Sequence, residues 1–218
     1  SIDYATTTEL PEHFHTLVEY SILASVTDPF DPMEKAFHRL GQHFLQDTEH
    51  LHRDWTLMQT YGLTPELRAM SHVWQFDPAT DHRLVATKGA PEAVAGLCRL
   101  PESEREAVGR AVDAMASAGL RVLAVASGTV SANHLPDRQQ GLELFFLGLV
   151  GLADPLRDSV PQAVAECRRA VIEVKMITGD YPVTATAIAR EAGLDGQNPM
   201  TGSELDALDD TALRERLG

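Results

Sequence analysis

The 218-residue sequence predicts an α+β domain with a mixed antiparallel sheet over residues 1–140, followed by a truncated Rossmann-like parallel α/β unit over residues 141–218. Three observations carry this. Ser71–Phe76 and His82–Thr87 are strand-like runs separated by the turn-forming segment Asp77-Pro-Ala-Thr-Asp81, the pattern of a hairpin. Leu144–Leu152 is a nearly continuous apolar run, as in strands buried on both faces of a sheet. After it, a helical pattern over Ser159–Arg169, a strand pattern over Ile172–Ile177 and a helical pattern over Val183–Ala192, closed by Gly193, alternate as right-handed crossovers require. The second segment is short for a complete doubly wound domain, hence the expectation of truncation.

The elements follow in order. Met33, Phe37, Leu40 and Phe44 recur at three- to four-residue spacing behind Asp31-Pro32, so Met33–Leu45 is expected to be an amphipathic helix. Next comes the hairpin. Ser103-x-x-Glu106 matches a capping box, Val108, Val112 and Met115 continue one helical face, and Gly119 stops it. Arg121–Ser127 reads as a strand, Ser131–Gly141 as a polar connection, and Asp195–Gly218 as acidic and weakly patterned.

Composition narrows the function. With 44% apolar and 23% charged residues the chain is an ordinary globular one, not a disordered one. Thirty-two acidic against 18 basic side chains give a net charge of −14, which disfavours nucleic acid and anionic membrane surfaces as partners. The longest apolar run, Leu144–Ala153, is about half of the roughly 20 residues that a membrane-spanning helix needs. No secretory signal follows Ser1. Cys98 and Cys167 form no C-x-x-C, so reduced thiols and a cytoplasmic location are expected.

Two short segments carry candidate chemistry. Met176-Ile-Thr-Gly-Asp180 runs from an expected strand into a helix, placing the Thr178 hydroxyl, Gly179 and the Asp180 carboxylate where open α/β sheets bind ligands and where helix amides favour a phosphate. The same residues also suit a helix N-cap and a turn. Thr87-Lys88-Gly89-Ala-Pro91-Glu92 puts a lysine at a strand end, available to a nucleotide's phosphates or ribose, or simply solvated. The pairs His13/His15 and His50/His52 lack metal-site spacing and are read as surface histidines. There is neither a Walker loop nor a Gly-x-Ser-x-Gly elbow.

Six segments taken together resemble the cytoplasmic catalytic part of P-type cation-transporting ATPases, of the calcium type or a related bacterial cation pump. They are Asp31-Pro-Met-Glu34-Lys-Ala, Arg68-Ala-Met-Ser71, Lys88-Gly-Ala-Pro-Glu92, Gly119-Leu-Arg121-Val-Leu-Ala, Gly148-Leu-Val-Gly-Leu-Ala-Asp154-Pro-Leu-Arg157 and Met176-Ile-Thr-Gly-Asp180, in the family's order between Asp28 and Leu194. The resemblance implies an ATP-binding domain over 1–140 and part of a haloacid-dehalogenase-like phosphorylation domain over 141–218. It implies that Lys88, with Gly89 beside it, lines the adenosine and phosphate pocket, that Glu34 meets the adenine amino group, and that Arg68 and Arg121 reach the phosphates. Leu63, or the nearby Tyr61, stands where the family often stacks an aromatic under adenine. Asp154 and Arg157 resemble the element beside the phosphorylation site, and Thr178, Gly179 and Asp180 the loop that holds the γ-phosphate and its magnesium.

The family's phosphorylated Asp-Lys-Thr-Gly-Thr and its later Gly-Asp-Gly-x-Asn-Asp loop do not occur in the sequence. The resemblance therefore implies ATP or ADP as ligand, Mg2+ held mostly by residues outside this chain, and an isolated chain without activity. Its partners would be the transmembrane, actuator and remaining phosphorylation parts of a membrane-embedded pump, on the cytoplasmic side. Two other readings are a free-standing haloacid-dehalogenase-like phosphatase, which needs an Asp-x-Asp nucleophile that is missing, and a non-catalytic nucleotide-binding module.

Overall fold

The computed structural model of the chain describes residues 6–46, 48–52, 54–153, 156–195 and 199–217. Helices α1 (His15–Leu23) and α2 (Pro32–Phe44) lead into strands β1 (Thr56–Tyr61), β2 (Ala69–Gln75) and β3 (His82–Gly89). Then follow α3 (Pro91–Leu97), α4 (Glu102–Ser117), β4 (Arg121–Ser131) and β5 (Leu144–Leu152). The remainder is helical: α5 (Ser159–Arg169), α6 (Pro182–Glu191), α7 (Gly202–Asp206) and α8 (Asp210–Leu217). Two compact units result, residues 1–112 with 122–152, and residues 113–121 with 153–218.

The first unit is built on a five-stranded antiparallel sheet in the order β1-β2-β3-β4-β5, with the expected hairpin at its centre. Strand periodicity sorts the side chains onto two faces. On one face Val73, Val85, Ala124 and Ala126 pack against Val94 and Leu97 of α3 and against Leu142. On the other, Trp74 and Ala86 pack against Leu23 and Ala24 at the end of α1. By the same alternation Ser71 and Thr87 share the first face, while His72 and Lys88 share the second.

Local chemistry explains the boundaries. Asp31 caps α2, its Oδ1 accepting from the amides of Met33 (2.7 Å) and Glu34 (3.3 Å), and Pro32 occupies the first helical position. Gly119 follows α4 at φ +77°, where its own amide reaches Ala116 O and that of Leu120 reaches Met115 O, closing the helix with two orphan carbonyls satisfied. Gly89 ends β3 because a Cβ there would lie 2.4 Å from the Arg68 carbonyl oxygen.

Three expectations need correction. The Ser103-x-x-Glu106 capping box does not form: α4 begins at Glu102, the Pro101 carbonyl accepts from the amides of Glu104 and Arg105, and Ser103 lies inside the first turn. β5 has the expected bounds but is not buried on both faces. It is the last strand of the antiparallel sheet, with Leu144 buried and Phe145 69% exposed. Finally, residues 172–177 form no strand. Their apolar side chains are largely solvent-facing, Ile177 at 96% exposure; a strand needs a hydrogen-bonded neighbour, and no described segment pairs with these residues.

The carbonyl of Leu23, one of the unpaired carbonyls at the end of α1, accepts from both His72 Nδ1 (3.0 Å) and Trp74 Nε1 (2.8 Å). Burial lowers the pKa of His72 from the ordinary histidine range; the bond to Leu23 opposes this and the Lys88 charge adds to it. The folded imidazole therefore binds its proton at lower pH than the unfolded one. His72 contributes stability that is fully present above about pH 6.5 and is lost as pH falls through the lowered value. Denaturant unfolding at pH 7.5 and 5.5 should show a larger acid loss for the native sequence than for His72→Gln; equal losses would mean that another group drives the acid transition.

Candidate functional site

Lys88 stands at the C-terminal end of β3, opposite Met70 of β2 and Val125 of β4. Its side chain is turned under α1 and α2 and is only 5% exposed. The ammonium donates to Ser25 Oγ and to Glu34 Oε1, each at 2.6 Å, and lies 5.3 Å from the centroid of the Phe37 ring. Glu34 is held in the first turn of α2, where a carboxylate also favours the helix dipole. Burial lowers the Lys88 pKa and the Glu34 carboxylate opposes that shift. Phe37, one turn after Glu34 and 1% exposed, contributes about 1.5–3 kcal/mol of apolar burial, which offsets part of the cost of desolvating the pair.

Glu34 and Lys88, expected as ligands of one nucleotide, are thus brought together. The others in the first unit are placed differently. Leu63 is 64% exposed on the loop between β1 and β2, where Thr64 and Leu67 bond each other's backbones. Tyr61 is buried at 9% exposure and its hydroxyl donates to Pro136 O at 2.6 Å, so it is a core residue and only Leu63 is accessible. Arg68 is exposed and pairs with Glu92 at 2.5 Å. Gly89 is buried against Ala69, with the next amide, that of Ala90, donating to Arg68 O at 2.8 Å.

In the second unit Thr178 Oγ1 donates to Asp180 Oδ2 (2.8 Å) and accepts from the Asp180 amide (3.1 Å), a self-contained turn. Gly179 has open space where a side chain would stand. Neither Thr178 nor Asp180 is the N-cap of α6; that position is Tyr181, without a side-chain capping bond. Arg121 Nε lies 3.8 Å from Asp180 Oδ1, so this arginine joins Thr178 and Asp180. Arg157 is exposed, and no hydrogen bond or ion pair joins its side chain to that group among the described residues. Asp154 lies outside the described residues.

Several partners carry no signal in the sequence. Ser25, the second acceptor for Lys88, sits 63 residues away in an unremarkable Ala-Ser. The histidines at 50 and 52 are not the surface groups expected. His50 Nδ1 and His52 Nε2 each lie 2.6 Å from a different oxygen of Glu19, itself 8% exposed, and His52 stacks on Trp55 at 3.6 Å. A cleft of about 610 Å3 opens beside His15 and His50; Lys88 and Glu34 do not line it. No described helix is long and apolar enough to cross a membrane.

Comparison with known proteins bears on this arrangement. Residues 30–159, which include Glu34, Leu63, Arg68, Lys88 and Arg121, match the family described as P-type ATPase, cytoplasmic domain N. A sodium/potassium exporting P-type ATPase of Schizosaccharomyces pombe is 34% identical over 201 residues, 83% of this chain and 19% of that protein. A calcium-transporting ATPase of Bacillus cereus is 32% identical over 204 residues, 86% of the chain and 22% of the relative. A probable cation-transporting ATPase F of Mycobacterium bovis is 41% identical over 146 residues, 62% of the chain and 16% of the relative. The chain spans about a fifth of the length of the first two relatives. With a family match over more than half its length, the chain belongs to the cytoplasmic domain N family of P-type ATPases.

Proposed function

We propose that the chain is the ATP-binding part of an ATP-driven cation pump: residues 1–140 as nucleotide-binding domain and 141–218 as part of a haloacid-dehalogenase-like phosphorylation domain. The bound ATP would pass its γ-phosphate to an aspartate outside this chain. The observation that carries this reading is the buried Lys88–Glu34 pair at one end of the central strand, inside the segment that matches the family. A carboxylate can accept from the adenine amino group and an ammonium can meet ribose or phosphate oxygens. The pair sets both chemistries 2.6 Å apart at the end of β3.

Leu63 supplies an aliphatic contact under the base, without the extra term of about 0.5–1.5 kcal/mol that aromatic pairs carry. Arg68 and Arg121 supply cations for the phosphates, each now paired with a carboxylate that phosphate would have to displace. Thr178, Gly179 and Asp180, with Asp154 and Arg157, would position the γ-phosphate. Magnesium binds through one or two carboxylates plus substrate phosphates. Its ligands would be supplied mostly by ATP and by residues outside this chain. Phosphoryl transfer then depends on positioning and charge neutralisation.

Two experiments test the reading. Titration of the chain with ATP, followed by backbone amide shifts, should move signals around Lys88 with a dissociation constant of roughly micromolar to millimolar. Lys88→Ala should weaken binding, while the chain alone should neither hydrolyse ATP nor become phosphorylated; a Lys88 region unresponsive at saturating ATP would sink the assignment. In a pump carrying this segment, Asp180→Asn should preserve the fold and slow phosphorylation at saturating ATP, by an amount corresponding to about 2.7–4 kcal/mol if it acts as other preorganised groups do. An unchanged rate would reduce the Thr178–Asp180 turn to a local structural feature.

A further inference from the structure

Gln139 belongs to none of the motifs above, yet its side chain is fully engaged at 4% exposure. Oε1 accepts from Ser71 Oγ at 2.8 Å, and Nε2 donates to the carbonyls of Gly62 at 3.2 Å and Ala69 at 3.0 Å. Both N–H donors of the amide are thereby used. Ser71 Oγ in turn lies 2.7 Å from Thr87 Oγ1, on the residue preceding Lys88. Gly62 and Ala69 are the two ends of the loop that carries Leu63 and Arg68.

The loop is also held by the Thr64–Leu67 backbone bonds, by Leu67 against the core and by the Ala90 amide on the Arg68 carbonyl, while the two side chains offered to a ligand have little of their own. Leu63 is 64% exposed, and the Arg68–Glu92 pair is an exposed ion pair of the kind that contributes only about 0–1 kcal/mol. Where they stand depends on the loop's ends, and one buried amide bonds both, beside the β2–β3 ladder that also holds Ala69. We propose that Gln139 is a positioning residue for nucleotide recognition: by clamping Gly62 and Ala69 it fixes where Leu63 and Arg68 stand relative to a nucleotide at Lys88. The assignment rests on the nucleotide reading above and names a residue through which that site is organised.

The test is a double-mutant cycle on the full chain, measuring ATP affinity for the native sequence, Gln139→Met, Arg68→Ala and the combination, at a temperature where thermal unfolding shows each to be folded. Gln139→Met keeps the approximate length and removes the amide; ATP affinity should fall roughly tenfold, the scale of one or two net hydrogen bonds. Arg68→Ala should cost several-fold in the native background and markedly less in the Gln139→Met background, because the loop is then no longer held in place. If Gln139→Met does not fold, Gln139→Asn, one methylene shorter and unable to span all three partners, carries the same cycle. A Gln139 variant that is folded and binds ATP as tightly as the native chain overturns the proposal, as does an Arg68→Ala cost equal in both backgrounds, which a merely structural role would give. Absence of ATP binding by the native chain would overturn the nucleotide reading and this assignment together.

Discussion

The buried ion pair between Lys88 and Glu34 constrains the rest of the first unit. Desolvating an ammonium and a carboxylate costs several kcal/mol per ion, and the cost is recovered only where geometry and additional hydrogen bonds are good. Here they are: Ser25 accepts a second Lys88 bond, the Phe37 ring lies over the ammonium, and the Asp31 cap starts α2 so that Glu34 falls in its first turn. Three elements are therefore held in register by one cation, since β3 supplies Lys88, the end of α1 runs into Ser25 and α2 supplies Glu34. The same charge reaches His72, which already loses proton affinity through burial.

A second polar system lies on the opposite face of the same strand, one residue earlier. Thr87, Ser71 and Gln139 form a buried hydrogen-bonded chain among the valines and alanines that pack on α3, and it ends on the carbonyls of Gly62 and Ala69. Polar groups in such surroundings are costly unless every one is paired, and among the described residues no buried side-chain donor or acceptor lacks a partner. The end of β3 is thus where the two faces meet. Gly89 closes it because nothing larger fits against Arg68 and Ala69.

Local rules carried the sequence reading far. The hairpin, α2 with its Asp-Pro start, the Gly119 stop, α5 and α6 were legible because capping, turn chemistry and helical period act over a few residues. Glu34 and Lys88 were legible as candidates through short motifs, and the structure pairs them although they lie 54 residues apart. What failed was long-range. β1 shows no alternation, since all but its last residue are exposed. β5 looks alike whether it pairs in a parallel or an antiparallel sheet, and residues 172–177 have a strand-like apolar run although no described segment pairs with them. Glu19 with His50 and His52, and Gln139 with Gly62 and Ala69, are contacts between residues with no local pattern.

The most direct test of this organisation is the unfolding free energy of Glu34→Leu, Lys88→Met and the double variant. If the two charges act as one buried unit, Glu34→Leu alone leaves an uncompensated ammonium and should cost about 3–5 kcal/mol. Adding Lys88→Met should then recover most of that loss, because the apolar pair removes the desolvated charge altogether. Additive losses, or a Glu34→Leu chain as stable as the native one, would contradict the central role of the pair.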